Sequence, residues 1–167
     1  MELLFGDWQA QLAVLANVAF AALLGGIVGF EREIAARPAG LRTNMLLAAA
    51  AALLVAIADL LAERFAGERY AELVRVDPVR VIEAVVTGVA FLGAGTIFRR
   101  GHDMVSGLTT AASMLLVAAI GIAVGLAQYV LALGAAVLAL VVLRVLAALG
   151  QRAAESARET PSQPSPK

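Results

Sequence analysis

Positions 104–143 carry no charged side chain, forty residues in a row. A single helix of that length would reach about 60 Å at ~1.5 Å per residue. The hydrocarbon core of a bilayer is only ~30 Å thick. The run is therefore expected to fold back on itself, with a break around Gly121, Gly125 and Gln128, where glycine weakens the helix and an amide interrupts the apolar pattern. The same reading along the rest of the chain predicts membrane helices over 11–30, 41–62 and 79–98, followed by 105–125 and 129–149. The third is the shortest, because only 84–98 is free of charge there. The expected fold class is all-α, a polytopic transmembrane helical bundle of about five helices. Residues 1–150 are read as one transmembrane domain. The stretch 151–167, rich in Ser, Pro, Gln and charge, is read as a short disordered tail on the cytoplasmic side.

Composition narrows the function classes. The chain is 61% hydrophobic and 16% charged, whereas soluble domains carry about 25% charged residues. A net charge of zero leaves no basic excess for a nucleic-acid partner. With no cysteine and one histidine, His102, thiol chemistry and multi-histidine metal sites are excluded. The opening Met1-Glu2-Leu3-Leu4-Phe5-Gly6-Asp7 is acidic where a secretory signal is basic, so it is not read as one. No nucleophile has a plausible base beside it, so catalysis is not expected. No cofactor is expected, and whether a metal binds is left open.

Arginine placement orients the bundle. No Lys or Arg precedes the first helix. Arg32, Arg37, Arg42, Arg99, Arg100, Arg152, Arg158 and Lys167 fall on one side of a five-span chain, read as the cytoplasm. Arg64, Arg69, Arg75 and Arg80 fall on the other. The N-terminus is thus expected outside and the C-terminus inside.

Small residues predict where helices meet. Ala22, Gly25, Gly26 and Gly29 share one helical face. Gly25/Gly29 and Gly121/Gly125 are GxxxG pairs, which allow close backbone approach in lipid. Gly88, Gly93 and Gly95 form a glycine-rich stretch in the third helix. It is read either as close packing or as a locally unwound segment with exposed carbonyls. Gly107 is counted with the packing glycines.

Four constellations carry polar chemistry. In Glu31-Arg32-Glu33, continuing the helix would carry Arg32 and Glu33 along the glycine face into the bundle and send Glu31 to the opposite flank. Glu33 and Arg37 are spaced for an i,i+4 ion pair. These charges either act inside the bundle or end the span among head groups. Asp77-Pro78 reads as an N-cap and first helical position, with Asp77 and Arg80 across the membrane from Glu31 and Arg42. Ser106, Thr109, Thr110 and Ser113 fall on one face of the fourth helix. They serve either interhelical and carbonyl hydrogen bonds or a polar path for a solute. Arg144 is read as snorkelling to the head groups, Asp59 as a boundary residue and His102 as a solvated loop residue.

Taken in order, GGIVGFERE at 25–33, AGLRTN at 39–44, DPVRVIEAVVTGVAFLGAGTIF at 77–98 and SGLTTAAS at 106–113 resemble the MgtC/SapB family of bacterial inner-membrane proteins. The resemblance covers about residues 10–145. It implies family positions at Glu31, Arg32, Glu33, Arg42, Thr43, Asp77, Arg80, Thr109 and Thr110, and at Gly29, Gly40, Gly88, Gly93, Gly95 and Gly107. Ala90 and Leu115 depart from it, standing where glycine and tryptophan are common. The family's association with magnesium implies an accessory or regulatory role in magnesium and ion homeostasis, exercised on a membrane-protein partner or a homo-oligomer. The alternative is a cation channel or carrier using the fourth-helix hydroxyls and helix-end carboxylates.

Overall fold

A computed structural model describes residues 8–65, 77–100 and 104–159 of the chain. Expectations for Arg69, Arg75, His102, Lys167 and the rest of 160–167 lie outside the described residues, and the side chains of Arg64, Arg99, Arg100, Arg152 and Arg158 are likewise not described. Five helices follow in order: α1 (Trp8–Ile34), α2 (Leu41–Phe65), α3 (Pro78–Thr96), α4 (Leu108–Gly125) and α5 (Tyr129–Glu159). Four of them are long and apolar enough to cross a bilayer. The apolar described part of α5, Tyr129–Val145, is shorter.

Several boundaries differ from the sequence reading. The first helix runs through Glu31, Arg32 and Glu33 to Ile34, because its end is set by a paired turn rather than by the first charge. The Ala36 amide donates to the Glu33 carbonyl and the Arg37 amide to the Arg32 carbonyl, with Ala36 at φ 50°. Pro38 then prevents continuation. At 27 residues, α1 is about 40 Å long, so its surplus over the ~30 Å apolar layer carries these charges to the rim.

The fourth helix starts at Leu108 rather than 105. Residues Phe98–Arg100 (β1) and Met104–Ser106 (β2) instead pair as a short antiparallel ribbon. Gly107 closes that ribbon at φ 97°, where a Cβ would strike the Thr96 carbonyl. It is therefore a turn glycine, not the packing glycine expected. Ser106 consequently leaves the helical hydroxyl face. The last helix also continues to Glu159, so 151–159 is helical where disorder was expected.

The fold-back in the uncharged run lies at Leu126–Gln128. The Ala127 amide donates to the Val124 carbonyl and the Gln128 amide to the Ala123 carbonyl, with Ala127 at φ 56°. Gly121 and Gly125 do not break the helix. They lie within α4 and face α2, where a Cβ at Gly121 would strike the Ala48 carbonyl oxygen and one at Gly125 would sit 2.8 Å from the Val55 Cβ. The centre of the bundle is thus made where α1, α2 and α4 meet, around Leu24, Val28, Ala48, Ala52, Val117, Ile120 and Val124. Within the apolar window of each helix, 56% of α4 is buried against 17% of α3. In lipid no aqueous hydrophobic drive holds helices together, so this small-residue interlock is the main packing force.

Candidate functional site

Successive helices run antiparallel, so the end of α1 and the starts of α2 and α4 share one rim. At this rim α1 meets the start of α2 closely at Gly29, where a Cβ would lie 2.8 Å from the Gly40 carbonyl oxygen and 2.9 Å from the Asn44 Cβ. A polar cluster is built on this contact. Arg32, 5% exposed, donates from Nη2 to Thr110 Oγ1 at 3.3 Å and joins α1 to α4. Ser113 donates to the Thr110 carbonyl at 2.8 Å, the carbonyl back-bonding that the sequence allows for a helical serine. Asn44, fully buried, donates from Nδ2 to the carbonyls of Ala39 (2.6 Å) and Gly40 (2.9 Å), and so holds the α1–α2 turn, in which Ala39 has φ 58°.

Glu33 stays at the edge of this cluster. Its Oε2 accepts from the Leu41 amide at 2.8 Å, satisfying one of the orphan N–H groups at the start of α2 with a charge of the favourable sign.

The roles of the two acids are thereby exchanged relative to expectation. Glu33, placed inside by its spacing, is exposed. Glu31, expected on the outer flank, is 8% exposed. The physical reason is that α5 packs on α1 as α2 does, and Glu31 lies beside Leu41 and Met45 of α2 and Leu140 and Arg144 of α5. Among the described residues no ion pair joins Glu33 to Arg37. Glu31 Oε2, Arg32 Nε and Asn44 Oδ1 are buried without a hydrogen-bond partner there. Glu31 faces a cavity of about 340 Å³ whose walls come from α1, α2 and α5, with Arg144 at its edge.

The remaining candidates separate. Arg42 and Thr43 are exposed on the first turn of α2, and Thr109 is exposed while Thr110 is buried. The single hydroxyl face expected on α4 therefore contracts to Thr110 and Ser113. Asp77 and Arg80 lie at the opposite rim, both exposed. Asp77 caps α3, accepting from the Val79 amide at 3.0 Å, with Pro78 at the first helical position as its sequence predicts. Asp59 is exposed and lines a smaller cavity of about 80 Å³ at that rim, beside Val81 and Leu126.

The glycines divide as sharply. Gly25, Gly26 and Gly29 pack on α2, and Gly93 packs on Ala111 with a Cβ distance of 3.2 Å. Gly88 and Gly95 have nothing within 4 Å of a Cβ position. Expected to be packing glycines, they lie on a face of α3 that no described residue covers. That stretch of α3 is regular helix, not an unwound segment.

Asn44 and Arg144 were not marked as site residues by sequence reasoning. The signal for Asn44 is an amide inside an alanine-rich apolar helix, four residues after a Pro-Ala-Gly turn. For Arg144 there is no local signal, since its place depends on how α5 lies against α1.

The MgtC family model matches residues 18–152. Among similar proteins, MgtC of Brucella abortus (strain 2308) is 42% identical over 118 residues, 71% of this chain and 44% of that protein. SapB of Bacillus subtilis (strain 168) is 33% identical over 123 residues, 74% of this chain and 52% of its own length. YhiD of Escherichia coli (strain K12), provisionally named a magnesium transporter, is 40% identical over 125 residues, 75% of this chain and 56% of its own. The chain thus spans about half the length of the relatives it matches. No solved structure matches it. The matched region takes in α1 from residue 18 onward and the whole of α2, α3 and α4, and the chain belongs to the MgtC family.

Proposed function

We propose that this protein is an accessory, regulatory component of magnesium and ion homeostasis in the bacterial inner membrane. In this reading it acts by docking a helix of another membrane protein, or of a second copy of itself. The observation that carries this reading is the open glycine face of α3. Gly88 and Gly95 are seven residues apart on one side of a membrane helix, with empty space beside both and Phe91 next to them 80% exposed. Glycine in a helix interior costs about 1 kcal/mol relative to alanine. Inside this chain that cost is offset at Gly25 and Gly121 by close packing, and on α3 a partner helix would supply the offset. The name borne by YhiD supports magnesium as the ion concerned. Arg32, Arg37 and Arg42, gathered at the rim shared by α1 and α2, support a cytoplasmic placement of that rim, with the N-terminus outside.

The chain has no cysteine, which gives a clean background for the test. A photo-crosslinker at Phe91 is expected to capture one discrete membrane protein, whereas the same group at Leu15, on an exposed side of α1, is not. Gly88→Leu with Gly95→Leu is expected to abolish both the adduct and the support of growth at low magnesium. Equal capture at both positions, or unchanged growth after deletion of the gene, refutes the reading.

A second reading, a cation carrier, is favoured by the free carboxylate oxygen of Glu31 beside a cavity. Magnesium is commonly held by one or two carboxylates with retained waters. Uptake of magnesium into proteoliposomes no faster than into empty vesicles excludes it.

A further inference from the structure

The cavity beside Glu31 has a polarity of its own. Helices α1 and α5 run side by side in the same direction. Tyr129, at the start of α5, donates to Asn17 Oδ1 at 2.9 Å and sets its ring edge-on to Phe20. Fourteen residues beyond Asn17 on α1 stands Glu31, and fifteen beyond Tyr129 on α5 stands Arg144, both lining the same cavity. Leu23, Ile27 and Leu140, further from the rim along α1 and α5, also line it, and Phe30 stands next to Glu31. The groove is therefore apolar along its length and carries one acid and one base at its rim end. Leu23, Ile27 and Phe30 are each more than two-fifths exposed, so the groove opens sideways towards lipid.

We propose that this groove is a binding site for an aminophospholipid, with phosphatidylethanolamine as its ligand. The lipid's phosphate meets the Arg144 guanidinium, its primary ammonium donates to the Glu31 carboxylate, and one acyl chain lies along Leu23, Ile27 and Leu140. Charge complementarity singles out this class. Glu31 Oε2 is buried and accepts no hydrogen bond from any described residue, a costly state for a carboxylate at the edge of an apolar layer. A primary ammonium brings three N–H donors. The quaternary ammonium of phosphatidylcholine brings none, and phosphatidylglycerol brings no cation at all. A soluble amine would leave the apolar walls unfilled. The volume, about 340 Å³, lies within the ~300–1,000 Å³ range of small-ligand sites, enough for a head group and the first part of a chain.

Native mass spectrometry of the full chain in mild detergent, with equimolar phosphatidylethanolamine, phosphatidylcholine and phosphatidylglycerol, tests the assignment. Phosphatidylethanolamine is expected to be retained about fivefold over either competitor, the worth of one charge-assisted hydrogen bond set partly in water. Glu31→Gln is expected to remove that preference while leaving total lipid binding in place. Arg144→Gln should lower retention of all three lipids, and Leu140→Trp should do the same by filling the apolar part. Soluble glycerophosphoethanolamine in excess should displace nothing, and its displacing the lipid would show that the apolar walls contribute nothing. Equal retention of the three lipids by the unaltered chain overturns the proposal without any variant. So does a preference that survives Glu31→Gln, or a dimer without lipid adducts, which would mean that a second copy fills the groove.

Discussion

The α1–α2–α4 junction and the outer face of α3 are made of similar residues and behave oppositely. Both are rich in glycine and alanine. At the junction Gly25, Gly29, Gly121 and Gly125 face a neighbouring backbone, so closely that a Cβ at Gly25 or Gly121 would meet a carbonyl oxygen, and Gly26 faces the Met45 side chain. On α3, Gly88 and Gly95 face empty space. A glycine pattern therefore reports that a helix can be approached closely, and says nothing about which chain makes the approach. In lipid, association rests on this closeness and on interhelical hydrogen bonds. The junction has both, with Arg32 bonded to Thr110. The open face of α3 has neither, and that difference is the physical basis for assigning it to a partner.

The sharpest way to break the comparison is to add one methyl group to each region. Gly25→Ala and Gly121→Ala place a Cβ against the Asn44 or Ala48 carbonyl, where only backbone movement relieves the contact. Each is expected to cost about 3 kcal/mol or more, at the upper end of overpacking penalties. It would be read as a fall in thermal stability in detergent, and a melting temperature within error of the parent would show that the junction is looser than described.

Arg32→Met comes next. It leaves the buried Thr110 hydroxyl without its donor and should cost about 1–3 kcal/mol. In a double-mutant cycle with Thr110→Val the two changes should be non-additive by about 1 kcal/mol, and strict additivity would dissolve the link. Asp77→Ala removes the α3 cap at the opposite rim and is expected to cost about 1 kcal/mol, measured by chemical denaturation. Smallest, and opposite in sign, is Gly88→Ala. With space beside it and helix propensity gained, the isolated chain should be unchanged or stabilised by up to about 1 kcal/mol. A marked loss of stability in that variant would mean that Gly88 packs within the chain after all.

Much of the architecture is legible from the residues because lipid imposes strict conditions on a chain. Every backbone group of a spanning segment must be satisfied within its own helix, so long uncharged runs become helices, and five of them are found. The α3 start is legible for the same local reason, since Asp77 and Pro78 act on the turn that they begin. The site is less legible. Spacing places Glu33 with Arg32 on the inner face, yet Glu31 is the buried acid, because burial at a rim depends on which helices arrive from elsewhere in the chain. The strand pair β1–β2 escapes the apolar pattern too, since three residues per strand leave no period to read.

What the amino-acid order determined alone is the membrane setting, the number of helices among the described residues, the α3 cap and the glycines at which close approach is possible. Tertiary structure decided the rest. It buried Glu31 instead of Glu33, spent Asn44 on the α1–α2 turn, carried Arg144 to the mouth of a groove, and left Gly88 and Gly95 uncovered. The division follows from range. Hydropathy, caps and helix period act within a few residues of the chain, whereas a side chain's exposure is set by helices that lie next to it in space and can be as far away in sequence as Tyr129 is from Asn17.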